Sequence, residues 1–154
     1  SNSRHKNYPT VDVEIANNWS RATLRVVNRV VSECKKRIAW RFWVDPSKVM
    51  LKEAFVVKYS MDGQRELNFH QDGNEFSFII GLNDQFTGGG THVKATKTTY
   101  RLQVGEAMLF DAQSWHAGLP ITSGTRYILT GFMYYKHPDF CESQDEEDLF
   151  NYEI

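Results

Sequence analysis

FSFIIGLNDQFTGGGTHVKATKTTYRLQVGEAMLFDAQSWHAGLPITSGTRYILTGFMY, residues 76–134, is a succession of short apolar bursts broken by turn residues. Phe76–Leu82, His92–Ala95, Thr99–Val104, Ala107–Phe110 and Arg126–Tyr134 are rich in β-branched and aromatic side chains, and each reads as a strand. Asn83-Asp84, Gly88-Gly89-Gly90, Gly105-Glu106 and Ser123-Gly124 separate them with the residues that turns require. Upstream, Phe55–Tyr59 has the same character and Asp62-Gly63 closes it. The triple glycine lacks the Lys-Ser/Thr ending and the following helix of a phosphate loop, so it reads as a tight turn where side chains would clash.

Toward the N-terminus the period changes. Trp19, Ala22, Val26, Val27, Val30, Val31, Cys34 and Ile38 recur at spacings of three and four, with Arg21, Arg25, Arg29, Lys35 and Lys36 on the other faces. This predicts a helix from about Asn18 to Ala39, capped by Asn17 or Asn18. Asp45-Pro46 joins a capping carboxylate to a proline suited to the first helical position and predicts a short helix or turn. Thr10–Ile15 predicts a short first strand. A helical layer followed by many short strands is the pattern of a mainly β protein with N-terminal helices, a double-sheet barrel or jelly roll with the helices on one sheet.

The chain has 154 residues, which predicts one domain over residues 1–154 with a flexible acidic tail from about residue 138. A formal net charge of −1 gives no general attraction to nucleic acid. The basic stretch Arg21–Arg37 and the acidic Glu142–Glu153 read as solvated faces. No stretch approaches the roughly 18 apolar residues of a membrane span, and the first residues lack the apolar core of a signal peptide. Two cysteines, Cys34 and Cys141, are too few for a disulfide framework. Cys34 lies on the apolar stripe of the helix and reads as a buried thiol.

The chemistry gathers at His70-Gln71-Asp72, His116 and Arg126. Side chains at i and i+2 of an extended segment share a side, so His70 and Asp72 can grip one ion. A second imidazole, His116, arriving from a distant strand completes two histidines and a carboxylate on one face of that ion, the facial arrangement of non-haem Fe(II) oxygenases, with open positions opposite. Arg126, in the apolar run RYILTGFMYY, is placed to receive an acidic cosubstrate. A planar guanidinium holds a carboxylate bidentately and stays charged when buried. On that strand Arg126, Ile128 and Thr130 share one face. The competing reading of Arg126 is a salt bridge to a core carboxylate. Trp115 reads either as a wall of the site or as core, and His92 as a surface or edge-strand residue.

With these residues in view, the chain resembles the Fe(II)- and 2-oxoglutarate-dependent prolyl and lysyl hydroxylases, and within them the catalytic domain of procollagen lysyl hydroxylases. The matching stretches are YPTVDV (Tyr8–Val13), FVVKY (Phe55–Tyr59), HQD (His70–Asp72), GLN (Gly81–Asn83), FTGGGTHV (Phe86–Val93) and HAGLPITSGTRYI (His116–Ile128). They keep the family's order from Tyr8 to Met133.

The resemblance implies a double-stranded β-helix, with His70, Asp72 and His116 as iron ligands and Arg126 on the distal carboxylate of 2-oxoglutarate. Tyr59 stands where related hydroxylases often face the cosubstrate. The wider group often has a hydroxyl two residues after the arginine. Ile128 occupies that position here, which leaves Tyr59 and Ser77 as candidates to help. Two departures are Ile79, where lysyl hydroxylases often carry asparagine, and Ala117, where they often carry glutamate.

The implied activity is oxidative decarboxylation of 2-oxoglutarate to succinate, coupled to hydroxylation of a lysyl, or second a prolyl, side chain in a protein or peptide. Fe(II), 2-oxoglutarate and O2 are the implied cofactors, and ascorbate is a candidate addition. The expected partner is a protein or peptide substrate, with neither nucleic acid nor membrane. The alternatives are a hydroxylase of a free amino acid or other small molecule, and a metal-binding module without turnover.

Overall fold

The computed structural model describes residues 12–14 and 20–137. In chain order they form β1 (Asp12–Glu14), α1 (Arg21–Phe42), a 3-10 turn at Pro46–Lys48, β2 (Val49–Ser60), β3 (Leu67–His70), β4 (Phe76–Gly81), β5 (Phe86–Gly88), β6 (Thr91–Val93), β7 (Thr98–Tyr100), β8 (Ala107–Asp111), β9 (His116–Gly118) and β10 (Ile121–Tyr135). The acidic tail, Cys141 and most of the YPTVDV stretch lie outside the described residues.

The strands make two antiparallel sheets. The larger runs β1-β2-β10-β4-β8, with β5 added to β10, and the smaller runs β3-β9-β6-β7. This is the double-stranded β-helix, or jelly roll, that the strand pattern and the resemblance predict. No helix among the described residues is long and apolar enough to cross a membrane.

Alternation along the three central strands of the large sheet builds two cores, because successive side chains point to opposite faces. One face carries Ala54, Phe76, Phe78, Ile80, Leu129 and Met133 and packs against Val27, Val31, Cys34 and Ile38 of α1. The other carries Phe55, Val57, Tyr59, Ile79 and Ile128, packed with Phe110 and Ile121. Phe78 lies across β10 so closely that a Cβ on Gly131 would stand 2.1 Å from its ring, which explains a glycine in the middle of the longest strand.

The helix departs from its prediction at both ends. Ser20, not Asn17 or Asn18, is the cap, its side chain accepting from the Thr23 N–H at 3.2 Å. The helix also runs past Ala39 to Phe42 and stops at Trp43 in the left-handed conformation. The buried stripe is narrower than the apolar pattern. Val27, Val31, Cys34 and Ile38 are inside, while Val26, about 100° round from Val27, is 63% exposed. Asp45 caps the turn at Pro46 as expected, its carboxylate accepting from the Ser47 N–H.

β2 and β10 extend beyond Phe55–Tyr59 and Arg126–Tyr134, since each has a neighbour on both sides. The strand expected at Thr99–Val104 shrinks to Thr98–Tyr100. β3, β5 and β9 carry no periodic signal; β3 and β9 are expected only as the extended segment of His70 and the distant strand of His116, and β5 is not expected. All three glycines of Gly88-Gly89-Gly90 have positive φ, the tight turn that the sequence suggests.

Candidate active site

His70 is the last residue of β3, and His116, the first of β9, is its cross-strand partner. Asp72 is not on the strand, as the i, i+2 argument assumed, but in the loop beyond it. There its backbone N–H is held by the Ala112 carbonyl at 2.9 Å, and the Ala112 N–H in turn donates to the Glu75 carbonyl. The loop turns the carboxylate back toward both imidazoles. Asp72 Oδ1 lies 3.5 Å from His70 Nε2 and 3.8 Å from His116 Nε2. One ligand atom from each of the three buried residues lies within 4.8 Å of the others.

Hydrogen bonds set the tautomers. Nδ1 of His70 lies 2.8 Å from the Asn68 carbonyl, and Nδ1 of His116 lies 2.9 Å from the Ser114 carbonyl. A carbonyl only accepts, so each Nδ1 carries a proton and each neutral ring keeps its lone pair on Nε2, the atom facing Asp72. Burial works to lower the pKa of His70, but Asp72 and the Asn68 carbonyl outweigh it and the net direction is upward. At His116 burial prevails over Asp72 and the direction is downward. Once Nε2 of both rings is unprotonated, as metal binding requires, two imidazoles and one carboxylate with convergent lone pairs suit Fe(II), and the donor set fits the ion that the sequence implies.

These residues open into a cavity of about 320 Å³ between the sheets. Tyr59, Val57, Phe55, Ile79, Ile128 and Phe132 line it from the large sheet, and Leu67, Thr91 and Gly118 from the other side. Apart from His70, Asp72 and His116 its walls are mostly apolar, so water entering there has few partners.

Arg126 is 3% exposed. Its guanidinium donates to the Gly90 carbonyl at 3.3 Å and to Thr91 Oγ1 at 3.4 Å, and it lies 5.4 Å from the centre of the Tyr59 ring. Tyr59 and Thr91 both line the cavity, and the cation lies directly behind them. Among the described residues no carboxylate pairs with Arg126, so the salt-bridge reading gains no support. Burial pulls its pKa down, with Tyr59 acting the other way, yet guanidinium remains a cation. Burial pushes the Tyr59 phenol up, against the influence of Arg126, so the hydroxyl stays protonated.

Ser77 is fully buried, but its hydroxyl lies 2.5 Å from Asp72 Oδ2, on the carboxylate side of the site. Thr130 and Phe132 line the cavity, as the alternation from Arg126 implies. Thr91 is the polar neighbour that the sequence reading missed. Its signal was its place directly after the glycine turn, which brings it against Arg126. Trp115 is neither site wall nor core: it is 45% exposed, with the Lys94 ammonium 5.7 Å from its ring. His92 sits on β6, an inner strand of the small sheet rather than an edge, and its ring contacts Thr99 and Phe69.

Comparison with known proteins bears on this geometry. The sequence profile of the 2OG-Fe(II) oxygenase superfamily matches residues 54–134. A procollagen lysyl hydroxylase and glycosyltransferase of Acanthamoeba polyphaga mimivirus is 41% identical over 86 residues, covering 52% of this chain and 10% of that protein. A multifunctional procollagen lysine hydroxylase and glycosyltransferase of Caenorhabditis elegans is 30% identical over 136 residues, covering 84% of this chain and 18% of that protein. The chain thus spans less than a fifth of either relative. Among solved structures, a viral collagen prolyl hydroxylase from Paramecium Bursaria Chlorella virus-1 in complex with 2OG superposes with a TM-score of 0.64 at 17% identity, covering 82% of this chain and 78% of that one. That likeness establishes the shared fold.

Proposed function

The chain belongs to the 2OG-Fe(II) oxygenase superfamily, and from that premise we propose that it hydroxylates a lysyl side chain, or second a prolyl one, in a protein or peptide. The observation that carries this reading is a buried cation, without a carboxylate partner among the described residues, packed directly behind Tyr59 and Thr91 of the cavity that also presents His70, Asp72 and His116. A buried charge is costly unless paired, and an acidic cosubstrate beside the metal supplies the pair.

In this reading His70 Nε2, Asp72 Oδ1 and His116 Nε2 hold Fe(II), and Arg126 receives the distal carboxylate of 2-oxoglutarate. When bound, Fe(II) and 2-oxoglutarate supply the activation of O2 and its insertion into a C–H bond. Ascorbate belongs to the same proposal as a candidate addition. The chain's own part is to position and to exclude. Tyr59 stacks against the guanidinium and offers a protonated phenol to the cosubstrate. Val57, Ile79, Ile128 and Phe132 keep water from the reacting centre. Neither nucleic acid nor a membrane enters this reading.

Lysine comes first because the two relatives just described carry lysine hydroxylase in their names. One observation favours proline instead. Among the described residues Asp72 is the only carboxylate lining the cavity, so nothing else negative there meets an incoming ammonium, whereas a neutral ring needs no counter-charge.

The test is to incubate the Fe(II)-loaded protein with 2-oxoglutarate and either Gly-x-Lys or Gly-x-Pro repeat peptides, following succinate and a one-oxygen gain in peptide mass. Hydroxylated lysine is the expected product. Hydroxylated proline alone selects the second reading. If neither peptide changes while free lysine or another small molecule drives succinate formation, the protein is a small-molecule hydroxylase.

A further inference from the structure

We propose that Ser77 is a positioning residue for Asp72, tying down one carboxylate oxygen so that the other alone faces the two histidines. The proposal rests on the reading of His70, Asp72 and His116 as metal ligands.

Ser77 interrupts the apolar strand FSFII. Its cross-strand partners are Phe132 on β10 and Phe110 on β8, and it has no exposed surface. A hydroxyl in such surroundings needs a partner, and its partner at 2.5 Å is Asp72 Oδ2.

The direction of that bond follows from its neighbours. The Asn74 amide donates to the Phe76 carbonyl and, at 3.3 Å, to the Met133 carbonyl, which fixes its nitrogen on the side of Ser77, 3.4 Å from Oγ. Ser77 thus faces, on one side, an amide nitrogen that cannot accept and whose two protons go to carbonyls, and on the other a carboxylate oxygen, which accepts. Its proton goes to Asp72.

The two oxygens of Asp72 therefore have different neighbours. Oδ2 accepts from Ser77, while Oδ1 faces both imidazole Nε2 atoms. A carboxylate held this way offers a metal one oxygen and leaves the remaining positions for cosubstrate and O2. Released, it is free to rotate, and Oδ1 is no longer held convergent with the two Nε2 atoms. Partners of this kind typically contribute 10- to 100-fold to metal affinity.

The test compares the wild-type chain with Ser77→Ala and Ser77→Thr, using Mn(II) and Co(II) as probes. Mn(II) affinity should fall about 10- to 100-fold in Ser77→Ala, and the Co(II) visible spectrum should change. Metal-free melting temperature should stay close to wild type, and Ser77→Thr should restore affinity. If Ser77→Ala also lowers the metal-free melting temperature, the threonine variant decides: restored affinity supports the proposal and unrestored affinity overturns it. Unchanged Mn(II) affinity in Ser77→Ala overturns it. So does weaker 2-oxoglutarate binding with unchanged metal affinity, which would move Ser77 to the cosubstrate. A wild-type chain that binds no Mn(II) removes the ligand assignment itself, and this proposal with it.

Discussion

The large and small sheets face each other across the same cavity but are held by different means. β2, β4 and β10 of the large sheet are long, paired on both sides, and apolar on both faces, one packed against α1 and the other against the cavity. β3, β6, β7 and β9 of the small sheet have three or four residues each. Backbone bonds beside them help to hold them: Lys94 N–H to the Trp115 carbonyl and Leu119 N–H to the Gly90 carbonyl. Arg126 and Ser77 stand on the stiff sheet, whereas the two histidines stand on the short strands. A metal bound by His70, Asp72 and His116 would therefore cross-link the weaker sheet to itself and to the loop after β3, while Arg126 stays anchored in the stronger one.

Substitutions among His70, Asp72 and His116 should break this division most severely. Asp72→Ala should abolish turnover, because two imidazoles alone neither complete the coordinating face nor balance the charge. Succinate release in the presence of peptide measures it. Arg126→Lys comes next. It replaces a fork by a point charge on a flexible stem and should cost on the order of 2–4 kcal/mol, or about 30- to 1000-fold, in 2-oxoglutarate affinity. A titration of activity against 2-oxoglutarate that shows no shift would place the acid elsewhere.

On the face of the stiff sheet packed against α1, and in α1 itself, the expected losses are of stability. Phe78→Ala should cost about 3–5 kcal/mol in chemical denaturation, since Phe78 is fully buried between α1 and β10. The smallest effect belongs to the helix cap: Ser20→Ala should cost about 1 kcal/mol and leave turnover as it was. A comparable loss of activity in this variant would show that α1 does more than cover the sheet.

The same division explains what the sequence made legible. β2, β4 and β10 announce themselves through β-branched and aromatic bursts, because each buries its side chains in bulk. LNFH and HAG, which form β3 and β9, have no such signature. They are strands because other parts of the backbone bind them, which a linear pattern does not record. The histidines within them were legible for a different reason, as a chemical motif whose residue types and order match a family. The place of Asp72 beyond the strand was not legible, since it depends on the Ala112 carbonyl of a distant loop. Nor was the pairing of Ser77 with Asp72, because a serine in FSFII gives no indication of which carboxylate it meets.

The central claim is that side chains from β3, β9 and the loop after β3 hold one metal ion. A crystal grown with Mn(II) in place of Fe(II), with data collected at the manganese edge, tests it most directly. The expected result is a single strong anomalous peak within bonding distance of His70 Nε2, Asp72 Oδ1 and His116 Nε2, with Asp72 Oδ2 still on Ser77. A map with no peak among these three side chains, or with manganese bound at other residues, would contradict it.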